Sequence, residues 1–316
     1  NFGQEPTFAG NITGASETGG GDGNYGIFKY SADGFLAMCS GNITTAEEIS
    51  PAETDDNYPQ KLFSPLLYTG DGSATQAQTG LGFQPDWTYI KQRDGTAGWK
   101  VFDSTRGVTK YVAFHNNDAE TTETDSLKVF GSDGFSVGSN AGTGASSATY
   151  ASGNWRANGS TTSTNDSGST DSTVQVDPSG CFSIVKYTGQ NDSWSNPATI
   201  GHGLSSAPSC ILLKALGAAD QWEVFHSAVG AGGGSNAASN SLALNTTAAL
   251  YTNQSYKTWG GTMPTSTVFT VDGNNANGTE AEGIIAYCFA NCEGYIKAGS
   301  YEGSGIVNGA FVYTGF

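Results

Sequence analysis

Hydrophobic positions in this chain come in short runs, several of them alternating with polar residues, and clusters of Gly, Asn, Asp and Ser separate the runs. No stretch carries apolar residues at the i, i+3, i+4, i+7 spacing of an amphipathic helix. Alternation between turn clusters is the pattern of β-strands. In WTYIKQR, Trp87, Tyr89 and Lys91 alternate with Thr88, Ile90 and Gln92; Arg93, Asp94 and Gly95 turn the chain, and WKVFDS returns. The expectation is a hairpin with one apolar face. VQVDPSGCFSIVKY reads as a second hairpin: Val174 and Val176 alternate, Asp177 to Gly180 turns, and Phe182 and Ile184 return.

These patterns recur. YTGDG at Tyr68 reappears as YTGQN at Tyr187, 119 positions on, and as YEGSG at Tyr301 after a further 114. Between the landmarks come an apolar run ending in Lys (Lys91, Lys214), a Trp-x-Val-Phe strand (Trp99 to Phe102, Trp222 to Phe225) and a Gly/Asp-flanked Phe strand (Phe135, Phe269). A period this long is a whole domain rather than a solenoid turn. The expected organisation is an acidic linker over 47–60, a β-sandwich repeat over 61–158, a polar linker or loop over 159–173, a second repeat over 174–299 and the start of a third, truncated copy over 300–316. Phe316 corresponds to Phe83, so the chain is expected to be a piece of a longer polypeptide. The predicted fold is all-β: tandem antiparallel β-sandwich domains, concanavalin- or jelly-roll-like, in a rod-like array. Trp99, Trp222, Phe102, Phe225, Phe135 and Phe269 are the predicted core.

Composition narrows the function classes. The formal net charge is −16, and the 13 Lys and Arg do not cluster. A surface without a basic footprint argues against a nucleic-acid partner. No apolar run is long enough to span a bilayer, so membrane insertion is not expected. Five cysteines carry no zinc spacing. Cys288 and Cys292, about 13 Å apart along a strand, cannot pair with each other, and Cys181 and Cys210 sit in apolar runs. No disulfide framework is expected, which favours synthesis in a reducing compartment such as a bacterial cytoplasm. Eight N-x-S/T triplets are what chance gives in a chain this rich in Asn, Ser and Thr.

Candidate chemistry is sparse. His115, His202 and His226 have no counterparts in the other repeat, and none has a recognisable nucleophile or metal partner. Asp86, Asp94, Asp103 and Asp133 could supply a carboxylate pair for glycoside hydrolysis, but turns and hairpin ends use the same residues structurally, and no catalytic residue is assigned. Asp103 and Arg106 read as an ion-paired turn. Asp71, Asp133 and Asp272, each near Gly, are candidates for Ca2+ through loop oxygens, without EF-hand spacing. No cofactor is firmly implied. Trp194, Tyr256 and Trp259 lie in polar stretches and are the aromatics hardest to assign to a core. Aromatic faces beside Asn and Asp suit the C–H faces and hydroxyl edges of sugars, so these three are the glycan-binding candidates.

The phrases YTGDG…TGLGFQPDWTYIKQR…WKVFDSTRG…SDGFSVGS…YASGNWRANGS, and the second copy GCFSIVKYTG…IGHGLSSAPSCILLK…WEVFHSAVG…AYCFANCEGYIKAGSYEGSG, resemble a repeated β-rich module of marine bacteriophage tail-fibre proteins. The opening NFGQEPTFAG…GIFKYSADGFLAMCSGNI looks like the last strands of a SPRY-type, concanavalin-like domain, over 1–46. The resemblance implies a non-enzymatic virion protein of a tail fibre or host-recognition appendage, homotrimeric, in contact with other virion proteins and with a host surface glycan or outer-membrane receptor. It carries over no catalytic residues. The family leads one to expect an aromatic, Ala-rich final strand in repeat 1, where Ser152 and Gly153 weaken YASGNW. The rival readings are a glycan-binding module of a secreted bacterial adhesin or polysaccharide-active enzyme, and a glycan depolymerase.

Overall fold

The computed structural model describes residues 17–18, 27–28, 53–190, 196–229, 237–252, 258–279, 283–305 and 309–314. The chain divides into two compact units, Asn1–Asp55 and Asp56–Phe316. In the first, β1 (Glu17–Thr18) pairs antiparallel with β2 (Ile27–Phe28). The remainder of the SPRY-like stretch, with its expected turn at Asp33 and Gly34, lies outside the described residues.

The second unit is built of antiparallel sheets. Its first half holds β3 (Phe63–Thr69), β4 (Gln76–Thr79), β5 (Trp87–Gln92), β6 (Lys100–Asp103), β7 (Lys110–Val112), β8 (Thr121–Thr122), β9 (Leu127–Gly131), β10 (Gly134–Val137) and β11 (Thr149–Trp155). The second half holds β12 (Ser163–Asn165), β13 (Ser172–Val176), β14 (Phe182–Tyr187), β15 (Ala198–Gly201), β16 (Cys210–Ala215), β17 (Glu223–His226), β18 (Leu242–Ala243), β19 (Val268–Val271), the four-residue helix α1 (Asn274–Asn277) and β20 (Ile284–Phe289).

The sequence repeat is also a topological repeat. The large sheet of the first half runs β3-β11-β5-β6-β7-β8, and that of the second contains β14-β20-β16-β17-β18 in the corresponding order, with β12 and β13 added outside β14. The small sheets correspond too, β4-β10 with β9 in one half and β15-β19 in the other. Within each half a small sheet faces a large one across a core. Phe135 and Val137 of β10 meet Ile90, Phe102 and Tyr150; Phe269 and Val271 of β19 meet Val185, Ile211, Leu213 and Ala286.

A third core joins the halves. Trp87 and Val101, on the other face of the first large sheet, cluster with Phe182, Ile184, Ile285 and Tyr287 of the second. Trp87 stacks on Tyr287 with ring centroids 4.4 Å apart. The two large sheets are therefore packed face to face, and the hairpin predicted to have one apolar face buries both. Strand β20 shows the logic: Ile284, Ala286 and Cys288 face the second half's own core, while Ile285, Tyr287 and Phe289 face the seam. A near-continuous apolar run is what a strand covered on both sides requires.

Other expectations change in detail. Within 159–173, expected to be a polar linker or loop, Ser163–Asn165 forms β12 and pairs with β13. β11 is an interior strand between β3 and β5. Its Gly153 is needed there, because a Cβ would lie 2.2 Å from the Tyr89 ring. Cys181 and Cys292 form a disulfide across 111 residues, with Cα atoms 6.1 Å apart. This corrects the expected absence of a disulfide; Cys181 itself is buried in the seam core. Cys210 and Cys288 are free, and Cys39 lies outside the described residues. Among the predicted core aromatics, Trp222, Phe102, Phe225, Phe135 and Phe269 are buried, whereas Trp99 is partly exposed.

Candidate functional site

Ionisable groups at the seam are already engaged with one another. Asp103 ends β6, and its Oδ1 accepts the Arg106 backbone N–H at 2.9 Å, folding DSTRG into a tight turn. The turn brings the guanidinium back under its own strand. Arg106 Nε donates to Asp103 Oδ2 at 2.5 Å, Nη1 to Glu120 Oε2 at 3.2 Å and Nη2 to the Val101 carbonyl at 3.1 Å. From the other half, the Tyr287 hydroxyl donates to Asp103 Oδ2 at 2.7 Å. Only 1% of the Arg106 side chain is exposed. Burial opposes its charge, but Asp103, Tyr287 and Glu120 hold its pKa above the ordinary value. A buried guanidinium with this many partners is a structural pin between the halves.

The other carboxylates singled out in the sequence hold backbone. Asp86 is fully buried and accepts N–H donors from Ala157, Gly159 and Ser160 at 2.8, 2.9 and 2.6 Å, plus the Ser104 hydroxyl at 2.7 Å. Asp94 takes the Thr149 N–H, and Asp133 takes those of Gly80 and Gly82. Of the three Ca2+ candidates, Asp71 accepts from Ser73, whose side chain and backbone lower its pKa. Asp133 is the clamp just described, and Asp272 accepts from Asn196 and Gly273. They occupy three different turns. Among the described residues, no three His, Cys, Asp or Glu side chains are grouped to hold a metal ion.

The histidines are tied to backbone as well. His202 is buried, its Nδ1 accepts the Leu204 N–H at 3.0 Å, and its Nε2 lies 3.2 Å from the Thr265 carbonyl. His226 Nδ1 accepts the Ala228 N–H. Of the glycan-binding candidates, Trp194 and Tyr256 lie outside the described residues. Trp259 is 1% exposed and packs on Phe225 and Phe269; its ring is core, with no face open to a sugar. The lysines ending the two apolar runs share one job. Lys91 Nζ donates to the carbonyls of Gln92 and Gly95, and Lys214 Nζ to those of Ala215 and Ala218, at i+1 and i+4 in both cases.

An open site does exist along the seam, around the loop after β7. There the partly exposed Trp99 ends an aromatic chain that runs through Phe114 to Trp222. Its repeat counterpart, Trp222, is buried and donates Nε1–H to the Ala113 carbonyl. The same repeat position is therefore core in one half and surface in the other. His115 packs against Gly98, where a Cβ would lie 2.0 Å from its Cε1, and its Nδ1 accepts the Trp99 N–H at 3.2 Å. On one side of His115 and Asn116 is a depression of about 170 Å3, with Trp99, Lys100 and Tyr111 among its lining residues. On the other is a cleft of about 580 Å3, bordered by Asp220, Gln221, Asn245, Thr246 and Asn275 from the second half. Asn117 Nδ2 donates to Ala219 O at 3.1 Å, and Lys214 Nζ to Asn117 O at 3.3 Å. The loop between the two hollows is thus pinned from both halves, and the site is pre-formed. Another opening, of about 600 Å3, is lined by Ser169, Asp171 and Lys186. Its aromatic, Tyr187, is buried and hydrogen-bonded to the Ala276 carbonyl. Sequence reasoning missed the seam site because Trp99, just ahead of β6, opens the WKVFDS run that reads as a core strand.

Residues 58–316 match the family described as Domain of unknown function (DUF7483). The chain belongs to that family. No curated protein and no solved structure matches it. The DUF7483 match takes in both sheet-and-core halves, the seam between them and the His115 loop.

Proposed function

We propose that this DUF7483 chain is a non-enzymatic structural module of a bacteriophage tail fibre or comparable host-recognition appendage, and that it contributes to attachment at the host surface. The observation that carries the reading is the seam. Two topologically matching halves share an apolar core and a saturated buried ion network, which is the construction of a stiff spacer. Further copies of the repeat would extend such a spacer into a rod. Polar turns rich in Ser, Thr and Asn, with a net charge of −16, keep its surface soluble. Homotrimeric assembly would multiply weak surface contacts into avidity.

Cryo-electron microscopy of the parent particle tests this. A threefold appendage containing this chain supports the proposal; a location inside the particle, or no particle at all, sinks it. The aromatic and amide lining of the seam site favours one alternative, a glycan-binding module of a secreted bacterial adhesin. Recovery of the chain from the medium of uninfected cells would decide for that.

A further inference from the structure

We infer that the two hollows flanking His115 form one bipartite site for a neutral oligosaccharide, with one sugar ring against Trp99 and the following rings across the cleft of the second half. The inference deepens the attachment proposal and rests on it for biological meaning, but its warrant is the chemistry of the lining.

The smaller hollow is of single-ring scale, and Trp99 is the aromatic side chain it offers; Tyr111 also lines it, but its ring packs on Phe102 in the first half's own core. The larger lies in the range of small-molecule sites. Its border supplies amides and a hydroxyl from Gln221, Asn245, Asn275 and Thr246, groups that donate and accept in turn as sugar hydroxyls do. Some of this capacity is committed: Asn245 Oδ1 accepts the Trp222 N–H and Gln221 Nε2 donates to Glu223. The Asn245 amide N–H2 stays free to donate.

Charge selects the class of sugar. The cation beside the aromatic hollow, Lys100, is paired with Glu123 and lies 3.8 Å from the Tyr111 ring centroid. The charged groups bordering the two hollows are otherwise the carboxylates of Asp118 and Asp220. Sialylated, sulfated or phosphorylated ligands would meet these two carboxylates at the borders, while the cation that interacts with both, Lys214, is buried behind the loop and bonded to its Asn117 carbonyl. Uncharged hexoses and N-acetylhexosamines would meet none of that repulsion. Rigidity helps affinity, because the ordering cost is already met by the Asn117–Ala219 and Lys214–Asn117 hydrogen bonds.

The test is binding of the intact 316-residue chain to a printed array of neutral, sialylated and sulfated oligosaccharides, followed by titration of the best neutral ligand. Neutral ligands should dominate. Trp99→Ala should weaken binding by about tenfold or more, the scale of one lost aromatic stacking contact. Asn275→Ala, on the far hollow and outside both cores, should weaken long ligands more than single sugars. A far-ultraviolet spectrum and melting curve matching the parent chain qualify each variant; should Trp99→Ala fail to fold, Asn275→Ala carries the test alone. Binding dominated by acidic glycans, or neutral binding unaffected by these variants, overturns the site. Locating the chain on the parent particle reads the attachment proposal separately. A surface location with no array signal overturns the saccharide site and leaves attachment standing.

Discussion

Tyr287 donates its hydroxyl to Asp103 at 2.7 Å, joining residues 184 positions apart on the facing sheets of the two halves. The same Asp103 oxygen takes Arg106 Nε, so the bond is part of a buried charge network rather than a surface contact. Two substitutions separate its parts. Tyr287→Phe removes one donor and should cost about 1–3 kcal/mol. Asp103→Ala leaves the buried Arg106 guanidinium with Glu120 as its one carboxylate partner and should cost about 3–5 kcal/mol. The double variant should cost less than the sum, as expected for coupled partners. Chemical denaturation curves check all three; single-variant losses under about 0.5 kcal/mol would show that the seam does not depend on this network.

The paired lysines predict an asymmetry. Lys214 is fully buried, reaches a third carbonyl on Asn117 of the other half, and has its pKa pushed down by burial to about 8. Lys91 makes the same i+1 and i+4 bonds on a partly exposed turn, where water can replace the lost donor. Lys214→Met should therefore destabilise by about 1–3 kcal/mol, and Lys91→Met by less than about 1 kcal/mol. Equal losses would mean that the hairpin turns, rather than the contact between halves, set the cost.

The Cys181–Cys292 bridge closes a loop of more than a hundred residues and should stabilise the chain by about 2–4 kcal/mol. Thiol titration of the denatured, unreduced protein should find Cys210 and Cys288 reactive and Cys181 and Cys292 blocked. Reduction should free Cys181 and Cys292 and lower the melting temperature. Reactive Cys181 and Cys292 before reduction would remove the bridge from this protein as it is made.

Much of the strand plan was legible because each half repeats the same landmarks. Tyr68 and Tyr187 end corresponding strands, Lys91 and Lys214 close corresponding hairpins, and Asp177 to Gly180 turns where its composition says it should. The association of the halves was harder to see. Trp87, Ile90, Val101 and Phe102 alternate between two cores, and alternation alone cannot tell a solvated face from one covered by another sheet; the apolar run of β20 held the stronger hint. The Cys181–Cys292 pairing depends on long-range topology that spacing does not encode. Trp259, in a polar stretch, read as a surface ring because local composition says nothing about a loop folding back onto Phe225 and Phe269. The candidate site was illegible for the opposite reason: Trp99 shares its motif with a core tryptophan.

Acid should weaken the fold through His202. Burial lowers its pKa from the ordinary 6.5, although its bond to the Thr265 carbonyl acts in the other direction. His226 is lowered by burial as well. With the folded value below the unfolded one, the unfolded chain binds more protons between the two, and stability rises with pH across that window. It is therefore full above about pH 6.5 and declines as pH falls through and below that value. Asp177 runs the opposite way, since burial raises its pKa, and it favours the folded chain only at pH values nearer the carboxylate range. His202→Asn can keep a hydrogen-bonding group at the site without a titrating one. The difference in unfolding midpoint between the parent chain and this variant should be constant from pH 8 to pH 7 and shift in the variant's favour as pH drops from about 6.5 towards 5. A difference that stays flat across that range would show that His202 is not held neutral by the fold.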